Sequence, residues 1–111
     1  MWIMIAGPYR SSAADGAARA ANLRALNEAA LEVCRRGHVP VIGVNMALPL
    51  IDAAGQDHYD TLMTPISLAL AERCDAVLRI GGPSGGADRE VDVIRARGGK
   101  VYVSLDQIEA A

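Results

Sequence analysis

A chain of 111 residues that is 51% hydrophobic, only 4% aromatic and without a phenylalanine is expected to fold as one domain with a core of Ala, Val, Ile and Leu. Such a domain buries roughly two-thirds of its unfolded surface. A formal net charge of −2, with Arg19, Arg24, Arg35 and Arg36 interleaved with Glu28 and Glu32, excludes the basic stripe and aromatic platforms of a binder of polymeric nucleic acid.

The first segment, Trp2 to Ala6, is a continuous apolar run that ends at Gly7-Pro8, as expected of a central parallel strand covered on both faces. An Ala-rich helix follows from about Asp15 to Arg36, with Leu23, Leu26, Ala30, Val33 and Cys34 on one stripe and Gly37 as its stop. His38 to Gly43 reads as a second strand. Pro40 inside it cannot donate to a ladder, so this strand belongs at a sheet edge. Val44 to about Gln56 shows no clear period and is expected to be a functional loop. Thr64-Pro65 supplies an N-cap and N1 pair for a helix to about Arg73, with Asp57 to Met63 as a short helical lead-in. Asp75 to Ile80, Ala87 to Arg97 and Lys100 to Ser104 complete the series as strand, helix and strand.

The longest apolar runs fall far short of the ~18 to 20 residues a membrane span needs, and no signal peptide precedes the first strand. Cys34 and Cys74 belong to no Cys-x-x-Cys pair and read as small buried hydrophobes in a reducing, cytoplasmic setting. No second His or Cys stands at ligand spacing from His58, so neither a metal nor a cofactor is expected.

Alternating strands and helices with right-handed crossovers, and an edge position for the second strand, predict an α/β fold. It is a doubly wound open parallel sheet of about four strands in order 2-1-3-4, with three main helices. Ligands of such sheets bind beyond the strands' carboxyl ends, where the winding reverses between strands one and three. The loops there are Gly7-Pro8-Tyr9-Arg10-Ser11-Ser12 and Gly81 to Gly86, the two most distinctive stretches of the chain.

Several phosphate motifs drop out. Gly98-Gly99-Lys100 leads into a strand and lacks both the Ser/Thr and the upstream Gly of a P-loop. A dinucleotide fingerprint would follow the first strand, where a single Gly stands before Pro8. A phosphoacceptor Asp would end the third strand, whereas Asp75 begins it.

What remains is Gly-Gly-Pro-Ser-Gly-Gly-Ala-Asp-Arg-Glu, residues 81–90. Backbone N–H groups near Ser84, Gly85, Gly86 and Ala87, at the positive end of a helix, favour an anion. Glu90 would repel that anion, so it is expected to face another part of the ligand. A carboxylate there suits a glycosidic carbon that becomes positive in an oxocarbenium-like transition state. The plainer alternative is an acid that merely stabilises the helix N-terminus, although Ala87 rather than a capping residue stands three positions before Glu90.

Gly7-Pro8-Tyr9, Gly37-His38-Val39, Cys74-Asp75 and Ser84-x-Gly86-Ala87-x-x-Glu90 together resemble the nucleoside 2-deoxyribosyltransferase-like superfamily. Its small bacterial members, related to deoxynucleoside 5′-monophosphate N-glycosidases, are the nearest in pattern. The resemblance covers most of the chain. It implies a flavodoxin-like, Rossmann-like fold, a homodimer or higher homo-oligomer, and transfer or hydrolysis of the base of a nucleoside or nucleoside 5′-monophosphate. By position, Glu90 would be the nucleophile, Tyr9 would contact the sugar or orient the acid, and Ser84 and Gly86 would hold the 5′-end. Catalytic members carry an Asp on the second helix where this chain has Ser67; Asp57, Asp60 or a neighbouring subunit is left to replace it. Arg10 reads either as a phosphate grip or as a solvated charge, Tyr9 as ligand contact or packing. Asn45 is a base-pocket candidate, Met46 belongs to the core, and His38 is structural; His58 and Tyr59 are left open. A non-catalytic nucleotide-binding or sensing module on the same fold stands as the alternative, and an unrelated anion-binding role as a third.

Overall fold

Trp2–Ala6 forms β1, and four of its five residues are buried. The side chains alternate between two cores. Ile3 and Ile5 pack on Leu26, Ala29, Ala30 and Val33 of α1, Gly16–Arg35, whereas Met4 and Ala6 meet Ala87, Val91 and Ile94 of the last helix. The computed structural model describes residues 1–10 and 15–111; Ser11 and Ser12 of the first loop lie outside them. Three more strands, β2 (Val39–Val41), β3 (Ala76–Arg79) and β4 (Lys100–Tyr102), complete an all-parallel sheet. Its order is β2-β1-β3-β4, the expected doubly wound arrangement, with Pro40 in an edge strand. Among the described residues no helix is long and apolar enough to cross a membrane.

Asp15 caps α1 by accepting the Ala18 N–H at 2.9 Å, and Gly37 ends it with φ of 87°. Cys34 is exposed, contrary to expectation, while Cys74 is buried. One residue past Val33 is about 100° further round the helix, which turns Cys34 away from the sheet. His38 is buried, and its Nε2 lies 2.7 Å from the Glu109 carbonyl. It ties the start of β2 to the C-terminal segment, the structural role expected of it.

The segment expected to be a loop is a helix, α2, Gly43–Ala54, so among the described residues the sheet carries four helices rather than three. Gly43, Ala47 and Ile51 are its buried residues, a stripe with one contact every four positions. Exposed apolar residues flank that stripe, Met46 at 55% and Leu50 at 48%, so the apolar positions did not reduce to one clean period. Met46 is therefore surface, not core.

The next helix, α3, runs Tyr59–Ala71 after a 3-10 turn at Gln56–His58. Thr64-Pro65 lies inside it rather than at its start. Pro65 has no N–H to give the ladder, yet the helix continues through it. The true start is fastened by Thr61 Oγ1, which donates to the His58 carbonyl at 3.0 Å, and Asp60 in the first turn complements the helix dipole. The final helix, α4, spans Gly85–Ala96 and begins two residues before the expected Ala87.

α2 and α3 touch most closely at Gly43. A Cβ there would lie 2.3 Å from Ser67 Oγ and 3.1 Å from Ser67 Cα. Gly43→Ala is expected to cost about 1–3 kcal/mol by forcing the helices apart, measured as a lowered midpoint in urea with an unchanged slope.

Candidate active site

β1 and β3 are central neighbours in register from Ile3↔Ala76 to Ala6↔Arg79, so the loops that leave them emerge side by side. Their backbones close in further, because a Cβ on Gly7 would stand 2.9 Å from the Ile80 carbonyl oxygen. Gly81 turns the second loop at φ of 76°, against Pro8. Tyr9 is tied to α1, its carbonyl accepting the Asn22 Nδ2–H at 2.8 Å.

In front of these loops lies a cavity of about 440 Å³. The β1 loop contributes Gly7, Tyr9 and Arg10, and α4 with its cap contributes Ser84, Gly86, Ala87, Arg89 and Glu90. The third wall is α3, through Tyr59, Asp60, Met63, Thr64 and Ser67. Of the residues expected from sequence, Gly7, Tyr9, Arg10, Asp60, Ser84, Gly86, Ala87 and Glu90 thus meet at one pocket. Four others do not line it. Pro8 borders a smaller hollow of about 130 Å³ beside Asn22 and Leu26. Gly85 is the exposed first residue of α4. Asn45 is exposed and donates to Asn27 Oδ1 at 2.8 Å. Asp57 is exposed with His58 3.8 Å away.

Ser84 is the N-cap of α4, its Oγ accepting the Ala87 N–H at 3.2 Å. The N–H groups of a helix's first turn lack intrahelical acceptors and attract anions. Since Ser84 caps the helix, Glu90 stands beyond its first turn and outside any capping box. Glu90 is only 8% exposed, and among the described residues its carboxyl has neither hydrogen bond nor ion pair. Burial pushes it up from 4.5 to about 8, opposed by the Arg79 guanidinium nearby. At neutral pH the carboxyl therefore tends to keep its proton.

At the pocket's outer side the Arg10 guanidinium lies over the Tyr59 ring, 4.1 Å from its centroid, a cation–π contact. Burial raises the Tyr59 hydroxyl, and Arg10 counteracts it. Tyr59, Met63, Thr64, Ser67 and Leu68 recur at helical spacing on the wall. Placing a helix boundary at Thr64-Pro65 concealed that stripe; with the helix begun at Tyr59 the spacing is plain. Arg89 had no such signal, because only the pocket distinguishes it from the other arginines. Neither a scan of protein-family models nor a search of curated protein sequences finds a match.

Proposed function

We infer that the protein cleaves or transfers the N-glycosidic bond of a nucleoside or nucleoside 5′-monophosphate, with Glu90 as nucleophile. The observation that carries this reading is Glu90, a residue only 8% exposed whose carboxyl lines a pocket of about 440 Å³ and, without a hydrogen bond or ion pair among the described residues, stays open to it. A buried acid without a partner is costly. An incoming sugar carbon that gains positive charge supplies what the site lacks.

In this reading the phosphate or 5′-hydroxyl lies at Ser84 and Gly86, with Arg10 and Arg89 at the rim and Tyr9 against the sugar. A Glu90 oxygen attacks C1′ while the C1′–N bond breaks, and the base leaves with the bonding electrons and takes up a proton. Water, or a second base in transfer, then attacks C1′ of the glycosyl ester, gives up a proton and returns Glu90 as carboxylate. Asp60 is the other carboxyl lining the pocket and is the candidate to relay those protons.

Two observations favour the alternative of a non-catalytic nucleotide-binding module. Ser67 stands on the pocket wall where the resembled superfamily carries an acid, and Glu90 is mostly neutral at pH 7, a hydrogen-bond donor rather than a nucleophile. A panel of nucleosides, 2′-deoxynucleosides and their 5′-monophosphates, assayed for free base by chromatography, separates the two. Release of base from at least one is the expected result. Nucleotide binding by calorimetry with no release from any member would replace the enzyme with the binding module.

A further inference from the structure

Arg79 ends β3 with its side chain 17% exposed, yet it does not line the pocket. Its guanidinium bridges three pieces of backbone and side chain. Nη1 donates to the Ile80 carbonyl, Nη2 to the Gly82 carbonyl at 2.8 Å, and Nε to Asp88 Oδ1 at 3.3 Å. Those acceptors lie on the turn that leaves β3 and on the first turn of α4. One planar group thereby joins strand end, turn and helix start, which a fork of fixed geometry does and a flexible ammonium does not.

The same group favours the Glu90 carboxylate electrostatically. No ion pair joins the two among the described residues, while Asp88, the carboxylate Arg79 does meet, is 67% exposed and so a weak counter-ion in water. The Arg79 charge nonetheless lowers the Glu90 carboxyl, against the larger rise that burial causes.

We propose that Arg79 is a positioning residue of this site: from behind the pocket it fixes the 80–84 turn and the start of α4, and it keeps a positive charge near Glu90 that no ligand has to bring. The inference deepens the reading of Glu90 as a working group, but its test needs no substrate. Other titratable or charged groups facing the same space are Tyr9 and Arg10 from the β1 loop, Tyr59 and Asp60 from α3, and Arg89 from α4, while Asp88 on α4 is turned to solvent. Cys74 behind them is held up at about 11 and stays neutral while Glu90 titrates.

The experiment is an NMR titration of protein labelled at the glutamate carboxyl carbons, with amide exchange read at Gly81 to Ala87, for wild type, Arg79→Met and Arg79→Lys. Arg79→Met is expected to raise the Glu90 midpoint by about 1 pH unit and to speed exchange in the turn about tenfold or more. Arg79→Lys is expected to keep the midpoint and still speed exchange, since an ammonium does not span both carbonyls. Should Arg79→Met not fold, Arg79→Gln carries the charge comparison. An unchanged midpoint on loss of the charge, or wild-type exchange in Arg79→Lys, overturns the proposal. A titration that behaves as expected beside a nucleotide panel that releases no base leaves Arg79 in this role and removes the glycosidase reading alone.

Discussion

Glu90→Gln is expected to abolish base release, on the order of 10³-fold or more, and at the same time to make the protein more stable at alkaline pH. The sign of the second effect follows from protonation. Glu90 titrates near 8 when folded and near its ordinary 4.5 when unfolded, so between those values the native state holds the proton more tightly. Stability is then fully present below about 4.5, declines as pH rises, and is lowest above about 8. Glutamine fills the same space without a charge to desolvate. Thermal unfolding should show mutant and wild type alike near pH 4.5 and the mutant ahead by on the order of 4 kcal/mol at pH 8. Turnover of the wild type should rise with pH through about 8, as the carboxylate forms. A mutant with wild-type turnover removes Glu90 from the mechanism. Equal stabilities at both pH values would instead show that the carboxyl is solvated.

Ser67→Asp is expected to raise base release by about tenfold to a hundredfold, within the range one positioned acid contributes. Ser67 is 8% exposed and lines the pocket, and the partner of its hydroxyl is the Met63 sulfur at 3.8 Å, a weak bond to give up. An added carboxyl stands on the same wall as Asp60, across from α4, where a leaving base would need its proton. Its burial costs about 1–3 kcal/mol at neutral pH, read as a lower urea midpoint. A rate that does not rise, in a variant that folds and still binds nucleotide, would mean that position 67 takes no part in departure of the base.

Much of the fold could be read before any coordinates because its strongest signals are local. Trp2 to Ala6 is apolar at every position, and only burial on both faces explains that. Pro40 placed β2 at an edge, and with right-handed crossovers that pointed to the strand order found. The two site loops followed from that order, because the winding reverses between β1 and β3. What escaped notice lay where contrast was missing. α2 has apolar residues on its solvent side as well as its core side, so no period stood out. In α3, Pro65 imitated a helix start while the helix began at Tyr59. That displacement hid Tyr59, Met63 and Thr64 as pocket residues. Arg79 was unreadable for a different cause: its importance lies in which carbonyls its guanidinium meets, and sequence carries no trace of that.

β2 has one further consequence. Its Val39 N–H donates to the Met1 carbonyl at 2.9 Å, so the next residue, Pro40, turns its backbone toward the open margin of the sheet. A strand arriving there finds no N–H at the middle of a three-residue edge. Growth of the sheet by a foreign strand is blocked at that margin. The opposite margin, β4, has no proline, and there shortness and the exposed Lys100 are what discourage a foreign strand.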